Sequence, residues 1–196
     1  MTKLMAVLLG GVVMCGAVMT TACAPTAAQG ARAGDGTAEA RGQYLVTIGG
    51  CNDCHTPLKM GPKGPEPDMS RMLSGHPEQV RVTAPARLSG PEWMAASNVT
   101  NTAHSGPCGV AFTANLTPDQ NTGLGTWTEE MFIKALRTGR HMGASREILP
   151  PMPWYNYAKM TDADLKAVYA YLRSIPPVHN RVPDPLPPAS TPTATH

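Results

Sequence analysis

Neither sign of charge dominates this chain of 196 residues, which has 16 Lys and Arg against 14 Asp and Glu. So weak a balance cannot supply a basic face along the whole sequence, and nucleic acid is therefore not an expected partner. Internal repeats are also not apparent. Aromatic residues are few, at 5% of the chain. The length suits one domain with a single core.

Long apolar runs are scarce as well. The apolar stretch at residues 4–19 follows Lys3 and contains Gly10, Gly11 and Gly16. It is shorter than the roughly 20 residues that a membrane-spanning helix needs. It ends in small residues at positions 20–22, so we expect residues 1–22 to be a cleaved signal peptide, with an uncleaved anchor as the alternative.

The residue after this leader is a cysteine. The run Thr20-Thr21-Ala22-Cys23 resembles the lipobox of bacterial lipoproteins, although an aliphatic residue is commoner than threonine at its first position. The resemblance implies lipidation of Cys23, and ordinary cleavage after Ala22 is the alternative. Residues 23–38, rich in Ala, Gly and Thr, would form a flexible tether. The expected location is the periplasmic side of a bacterial membrane, with a lipid anchor.

Cysteine is limited to five residues, and this limits the metals that the chain can hold. Structural zinc needs four ligands, usually as two pairs at similar spacing. Cys15, Cys23 and Cys108 provide no second pair to accompany Cys51 and Cys54. A zinc site is therefore disfavoured.

The run Cys51-Asn52-Asp53-Cys54-His55 has the spacing of a covalent haem attachment site. In such a site the two thiols form thioethers to the haem, and His55 is the proximal ligand of the iron. A redox dithiol would explain the cysteines but not the adjoining histidine, and no βαβ pattern surrounds the motif. We therefore expect one covalently bound haem c.

Hydrophobic periodicity and capping signals predict three helices. The first spans about 39–49, the second starts near Thr126 or Thr128 and stops at Gly139, and the third starts at Thr161 and ends before Pro176. Gly42 should let the first helix approach Val168 or Tyr171 of the third closely. The interval 56–125 shows little periodicity and is expected to form irregular loops around the haem. Residues 39–180 would be the folded domain and 181–196 a Pro-rich tail without helix or central strand.

The second axial position of the iron needs a further ligand. Met152 lies in Leu149-Pro150-Pro151-Met152-Pro153-Trp154, where the flanking prolines restrict the backbone and favour one direction for the thioether. Met142 is the runner-up. Met160 is better explained as an apolar residue that staples the third helix just before its cap. Met152 is therefore the predicted sixth ligand.

Several of these segments together resemble a class I cytochrome c domain. They are residues 51–55, Ala114-Asn115-Leu116-Thr117-Pro118-Asp119, 127–139 and 149–178. The resemblance is to the domains that accept electrons for bacterial membrane-bound alcohol and sugar-acid dehydrogenases. It implies an all-α fold of about three main helices around one haem, with His55 and Met152 as axial ligands. Two features depart from those subunits: this chain has one haem motif where they usually have several, and Cys108 stands where a bulkier residue is expected.

The expected function is electron transfer without catalysis, from a dehydrogenase donor to an oxidase or another cytochrome. One alternative is a peroxidase-like haem enzyme with a labile sixth position, which would use His76, His104 or His141 as an acid or base. Another is a haem redox sensor that also uses Cys108. A buried, inert thiol is the plainer expectation for Cys108, and an exposed thiol that crosslinks or acts as a ligand is the alternative.

Overall fold

A computed structural model describes residues 36–88, 90 and 92–188 of the protein. Within these residues the α-helices are α1 Ala38–Ile48, α2 Cys51–His55, α3 Glu129–Thr138, α4 Trp154–Tyr157 and α5 Asp162–Ser174. The strands are β1 Leu58–Gly61, β2 Gly64–Pro67, β3 Ala96–Ser97, β4 Ala103–Gly106 and β5 Gly109–Phe112. Two short 3-10 helices cover Met69–Arg71 and His141–Gly143. No helix of the described part is both long enough and apolar enough to cross a membrane.

The expectation of an all-α fold is wrong. Strands β1 and β2 form an antiparallel hairpin, and β3, β4 and β5 form a second antiparallel sheet in that order. All of these strands lie in the interval 56–125, which was expected to be irregular. They are at most four residues long and include runs such as Gly64-Pro65-Glu66-Pro67, so they present no alternation that a sequence pattern could detect.

The three predicted helices are confirmed as α1, α3 and α5, and each begins at a threonine cap. Thr37, Thr128 and Thr161 accept hydrogen bonds through their side chains from backbone N–H groups three residues further on, at 3.1 Å in each case. For α3 the structure selects Thr128 rather than Thr126. Gly139 ends that helix in the left-handed conformation, with φ +66°, and this favours glycine.

Helices α1 and α5 cross at Gly42, as the sequence predicted. A Cβ built on Gly42 would lie 2.0 Å from the Ala167 carbonyl oxygen and 2.7 Å from the Tyr171 Cβ. The predicted neighbour Tyr171 is therefore confirmed, and the nearest backbone is that of Ala167 rather than Val168. Only glycine lets the two backbones approach this closely. An ion pair between Arg41 and Asp164, with nitrogen and oxygen 3.0 Å apart, lies across the same pair of helices.

The hydrophobic core lies between α1, α3 and α5. Its buried side chains come from these helices, from the loops that precede α3 and follow α5, and from the loop after the 3-10 helix Met69–Arg71; they are Val46, Leu73, Leu124, Phe132, Val168, Leu172 and Ile175. Burial of a side chain of this kind stabilises a fold by about 1.5 to 3 kcal/mol. The core therefore fixes α1, and with it the start of α2.

A C-terminal segment, residues 178–188, follows α5 and packs back onto the domain. We call it the C-terminal strap. Asn180 is fully buried, and Leu186 pairs with Val110 of β5 as an isolated antiparallel bridge. Apart from that bridge the strap has no helix or strand among its described residues. Residues 189–196 of the predicted Pro-rich tail lie outside the described part of the chain.

Candidate functional site

A cavity of about 910 Å³ lies beside the core. This volume is at the upper end of the range for small-molecule and cofactor sites. Its wall is mostly apolar and comes from the α1–α2 junction, from residues 111–116 at and after β5, from residues 148–153 and from the strap. The cavity thus joins segments that are far apart in the sequence.

The two cysteines of the motif line this cavity from the short helix α2. A spacing of three residues is about one helical turn, so both thiols lie on the same face of α2. Gly50 precedes the helix with φ +67°, a left-handed conformation that lets the chain turn from α1 into α2. The local sequence therefore places both thiols at the cavity.

Burial raises the pKa of the Cys51 thiol to about 11. Burial and the neighbouring charge of Asp53 also raise the pKa of Cys54. Both residues are thus neutral thiols at pH 7. Redox-active dithiols have the opposite property, a lowered pKa that keeps one sulfur as thiolate. The environment of this pair therefore argues against the redox dithiol alternative.

His55 ends α2 and is 7% exposed. Its Nδ1–H donates to the Ala114 carbonyl oxygen over 2.8 Å, and a carbonyl can only accept. This hydrogen bond leaves Nε2 with a free lone pair. Burial lowers the pKa of His55 against the opposing effect of that hydrogen bond, so the imidazole is neutral. A neutral imidazole with Nδ1 bound to a carbonyl is the usual form of a histidine metal ligand.

Met152 also lines the cavity, together with Pro151 and Pro153 on either side. Met142, the runner-up, lies outside this wall, is 36% exposed and has φ +53°. Met160 lies on the cavity wall as well and packs against the core. Its side chain therefore has contacts beyond those of the predicted helix staple. The structure thus places Met152 and His55 on one cavity.

The three histidines considered for an enzyme have different surroundings. His104 and His141 line the cavity, whereas His76 does not. His76 is fully buried, with Nδ1 2.9 Å from the Thr102 hydroxyl and Nε2 donating to the Val80 carbonyl over 2.7 Å. Desolvation lowers the pKa of all three histidines. His76 is therefore a structural residue.

Sequence reasoning missed Tyr157, which lines the cavity from α4. Its hydroxyl donates to the Gly49 carbonyl oxygen over 2.6 Å and so links α4 to the α1–α2 junction. Burial raises its pKa. Sequence reasoning also missed the role of the Ala114 carbonyl, because residue identity does not reveal which backbone oxygen accepts a hydrogen bond.

The residues present fit a haem. Two thiols at attachment spacing, a histidine with a free Nε2 and a mostly apolar wall surround one volume. Two buried polar atoms of lining residues, His104 Nε2 and Thr113 Oγ1, have no hydrogen-bond partner among the described protein atoms. A cofactor that carries carboxylates supplies acceptors for such groups.

Cys108 is exposed in the turn of the β4–β5 hairpin, so the expectation of a buried thiol is wrong. Glycines on both sides and Pro107 bring the chain to the surface there. In the described residues no group of three or more His, Cys, Asp or Glu side chains could hold a metal ion. The predicted signal peptide, tether start and lipidated Cys23 lie outside the described residues.

A family model described as cytochrome c matches residues 39–176. The chain therefore belongs to the cytochrome c family. Members bind haem c covalently and transfer electrons, so this protein is a haem c protein of the electron-transfer class.

Curated relatives of the chain are much longer proteins. The chain is 40% identical over 82 residues to the alcohol dehydrogenase (quinone) cytochrome c subunit of Gluconobacter oxydans, covering 40% of this chain and 17% of that protein. It is 31% identical over 139 residues to the gluconate 2-dehydrogenase cytochrome c subunit of Pantoea cypripedii, covering 70% and 23%. It is 44% identical over 69 residues to the fructose dehydrogenase cytochrome subunit of Gluconobacter japonicus, covering 35% and 14%. The matched segments thus span less than a quarter of each of these relatives.

Proposed function

We propose that the chain carries one haem c, attached through Cys51 and Cys54 and ligated by His55 and Met152, and that it passes electrons between redox proteins. The observation that carries this proposal is the shared cavity, which all four residues line. Residues separated by about a hundred positions in the sequence meet at one apolar volume of cofactor size.

Each residue has a defined task in this proposal. The thiols of Cys51 and Cys54 fix the cofactor to α2, and the Ala114 carbonyl orients the His55 ring so that Nε2 is available to iron. Met152 offers a thioether, a ligand that favours the reduced state. Bound haem supplies the one-electron couple. The apolar wall excludes water, and two protein ligands leave the iron no position for a substrate.

The proposed electron donor is a membrane-bound dehydrogenase, and the proposed acceptor is an oxidase or another cytochrome. Support comes from the relatives, which are named as cytochrome subunits of dehydrogenases of alcohol, gluconate and fructose. A single haem motif in this chain suits one step of a longer relay.

We place the protein on the periplasmic side of a bacterial membrane, held by a lipid on Cys23. The support is the leader at residues 1–22 and the lipobox-like run before Cys23. Replacement Cys23→Ser is expected to move a red, reducible cytochrome from the membrane to the soluble periplasmic fraction, as judged by fractionation and absorbance. Retention of this variant in the membrane would contradict the lipid anchor.

Replacement of Met152 tests the proposed ligand. In the oxidised protein a far-red absorption band reports the bond between sulfur and iron. Met152→Ala is expected to abolish this band and to lower the reduction potential, because the ligand that favours the reduced state is lost.

Met160→Leu is the matched control, since Met160 lines the same cavity and the replacement conserves volume. It should keep both the band and the potential. A band that survives in Met152→Ala and disappears in Met160→Leu would assign the ligand to Met160. A wild-type protein without the band, with an iron that binds small molecules, would favour the haem enzyme instead.

A further inference from the structure

The C-terminal strap forms part of the cavity wall. Residues 181–185 line the cavity, although the segment that matches the family ends at residue 176. This part of the wall therefore lies outside the segment that matches the family.

The strap is anchored at its start by Asn180. The side-chain Nδ2 of Asn180 donates to the carbonyl oxygens of Ser74 and His76, at 2.7 and 2.8 Å. Its Oδ1 accepts from Arg71 Nη2 at 2.8 Å and from the Glu78 backbone N–H at 3.0 Å. Every polar atom of this buried amide is thus paired, which makes the anchor costly to release.

The other end of the strap is anchored on β5. Val110 and Leu186 exchange two backbone hydrogen bonds, at 2.9 and 3.0 Å. Gly109 has φ +96°, and a Cβ built there would lie 2.0 Å from the Leu186 carbonyl oxygen. The close approach of the strap to the hairpin therefore depends on this glycine.

Between the two anchors the strap is stiff. Pro183 and Pro185 fix two backbone angles in the stretch that lines the cavity. A short segment that is tied at both ends and restricted between them acts as a fixed wall rather than as a hinge.

We infer that the C-terminal strap shields one side of the haem from solution and thereby selects the side through which electrons enter and leave. The inference rests on haem occupying this cavity. Protein between the haem and a reagent lengthens the path of the electron on the covered side. Exclusion of water there also lowers the local dielectric constant, one of the means by which a protein sets the potential of a haem.

Truncation tests this inference on the haem-loaded protein. A chain that ends at Asn180 lacks the cavity-lining part of the strap, and a chain that ends at Pro188 is the control. Residues 181–196 contain one positive side chain, Arg181, and one negative side chain, Asp184; His196 counts as neutral at pH 7. The deletion therefore leaves the formal net charge unchanged. A change in the rate of reduction by ascorbate, a small anion, then reports access rather than electrostatic steering.

The chain that ends at Asn180 is expected to be reduced by ascorbate several-fold faster than the full chain and to have a lower reduction potential. The chain that ends at Pro188 should match the full chain in both quantities. Equal rates and potentials for all three proteins would overturn the inference.

A substitution within the full chain covers the case in which truncation prevents haem attachment. Leu186→Pro removes the N–H that donates to the Val110 carbonyl, whereas Leu186→Ala keeps it. Leu186→Pro should be reduced faster than Leu186→Ala, which should behave as the full chain. Equal rates for the two variants would overturn the inference. The far-red band, measured in parallel, reports Met152 ligation separately, so failure of that proposal is distinguishable from failure of this one.

Discussion

The two sides of the cavity that provide the proposed iron ligands are built differently. One side, which we call the attachment wall, consists of residues 49–55 and 111–115; the other, the methionine wall, consists of residues 148–153. In the attachment wall His55 is buried and held by a hydrogen bond to Ala114. The methionine wall is a loop whose direction depends on Pro151 and Pro153.

The difference matters because the two walls have different tasks in the proposed site. Covalent attachment needs two thiols and an imidazole in fixed positions, and the short helix α2, which packs on the core through Cys51, provides them. A thioether ligand needs only a direction, and prolines provide this without a buried hydrogen bond. Tyr157, on the α4 helix that follows the methionine wall, donates its hydroxyl hydrogen bond to Gly49 at the start of the attachment wall.

Among the changes that test this comparison, removal of the two thiols should have the largest effect on the protein. The double variant Cys51→Ser, Cys54→Ser is expected to lose all covalently bound haem, because serine forms no thioether to the vinyl groups. Haem staining after denaturing electrophoresis measures this loss. Met152→Ala should keep its covalent haem in the same gel, and Cys108→Ser, at an exposed turn, should be unchanged. Covalent haem in the double variant would contradict the attachment assignment.

A smaller effect is expected from the helix crossing that supports the attachment wall. Gly42→Leu should lower the free energy of unfolding by about 3 kcal/mol, because even a Cβ at this position overlaps the Ala167 carbonyl. Thermal unfolding of the haem-loaded protein measures this change. Gln43→Leu, at an exposed position of the same helix, is the control and should change stability little. An unaltered melting temperature for Gly42→Leu would argue against the crossing.

The smallest expected effect concerns pH and the residues behind the attachment wall. The backbone N–H of His76 donates to the Thr113 carbonyl at 3.0 Å, and burial lowers the pKa of its side chain below 6.5. Just below pH 6.5, His76 therefore binds a proton in the unfolded chain but stays neutral in the folded chain. Stability from this residue is complete above pH 6.5 and falls as the pH drops below it, by at most about 1.4 kcal/mol per pH unit.

Denaturant unfolding between about pH 7 and pH 5 measures this slope. His76→Gln replaces the imidazole by an amide, which can hydrogen-bond but cannot titrate. The stability of this variant should therefore depend less on pH than that of the unaltered protein. Identical slopes for the two proteins would show that other groups cause the acid sensitivity.

Much of the helical structure could be predicted because its causes are local. Threonine caps, apolar spacing and Gly139 or Pro176 as stop signals act within a few residues, and α1, α3 and α5 follow them. The strands could not be predicted in this way. Their pairing depends on partners such as Ala103 and Phe112, and short strands with glycine and proline carry no period of two.

The sequence by itself determined the chemistry of this protein. Cys51, Cys54 and His55 lie within one turn of a helix, so their spacing alone indicates covalent haem attachment. Only the tertiary structure decided what surrounds that motif. The carbonyl of Ala114 orients His55, Tyr157 ties α4 to the attachment wall, and the strap closes part of the cavity. These contacts join residues about 60 to 130 positions apart in the sequence, and long-range contacts of this kind arise from packing, which no local pattern records.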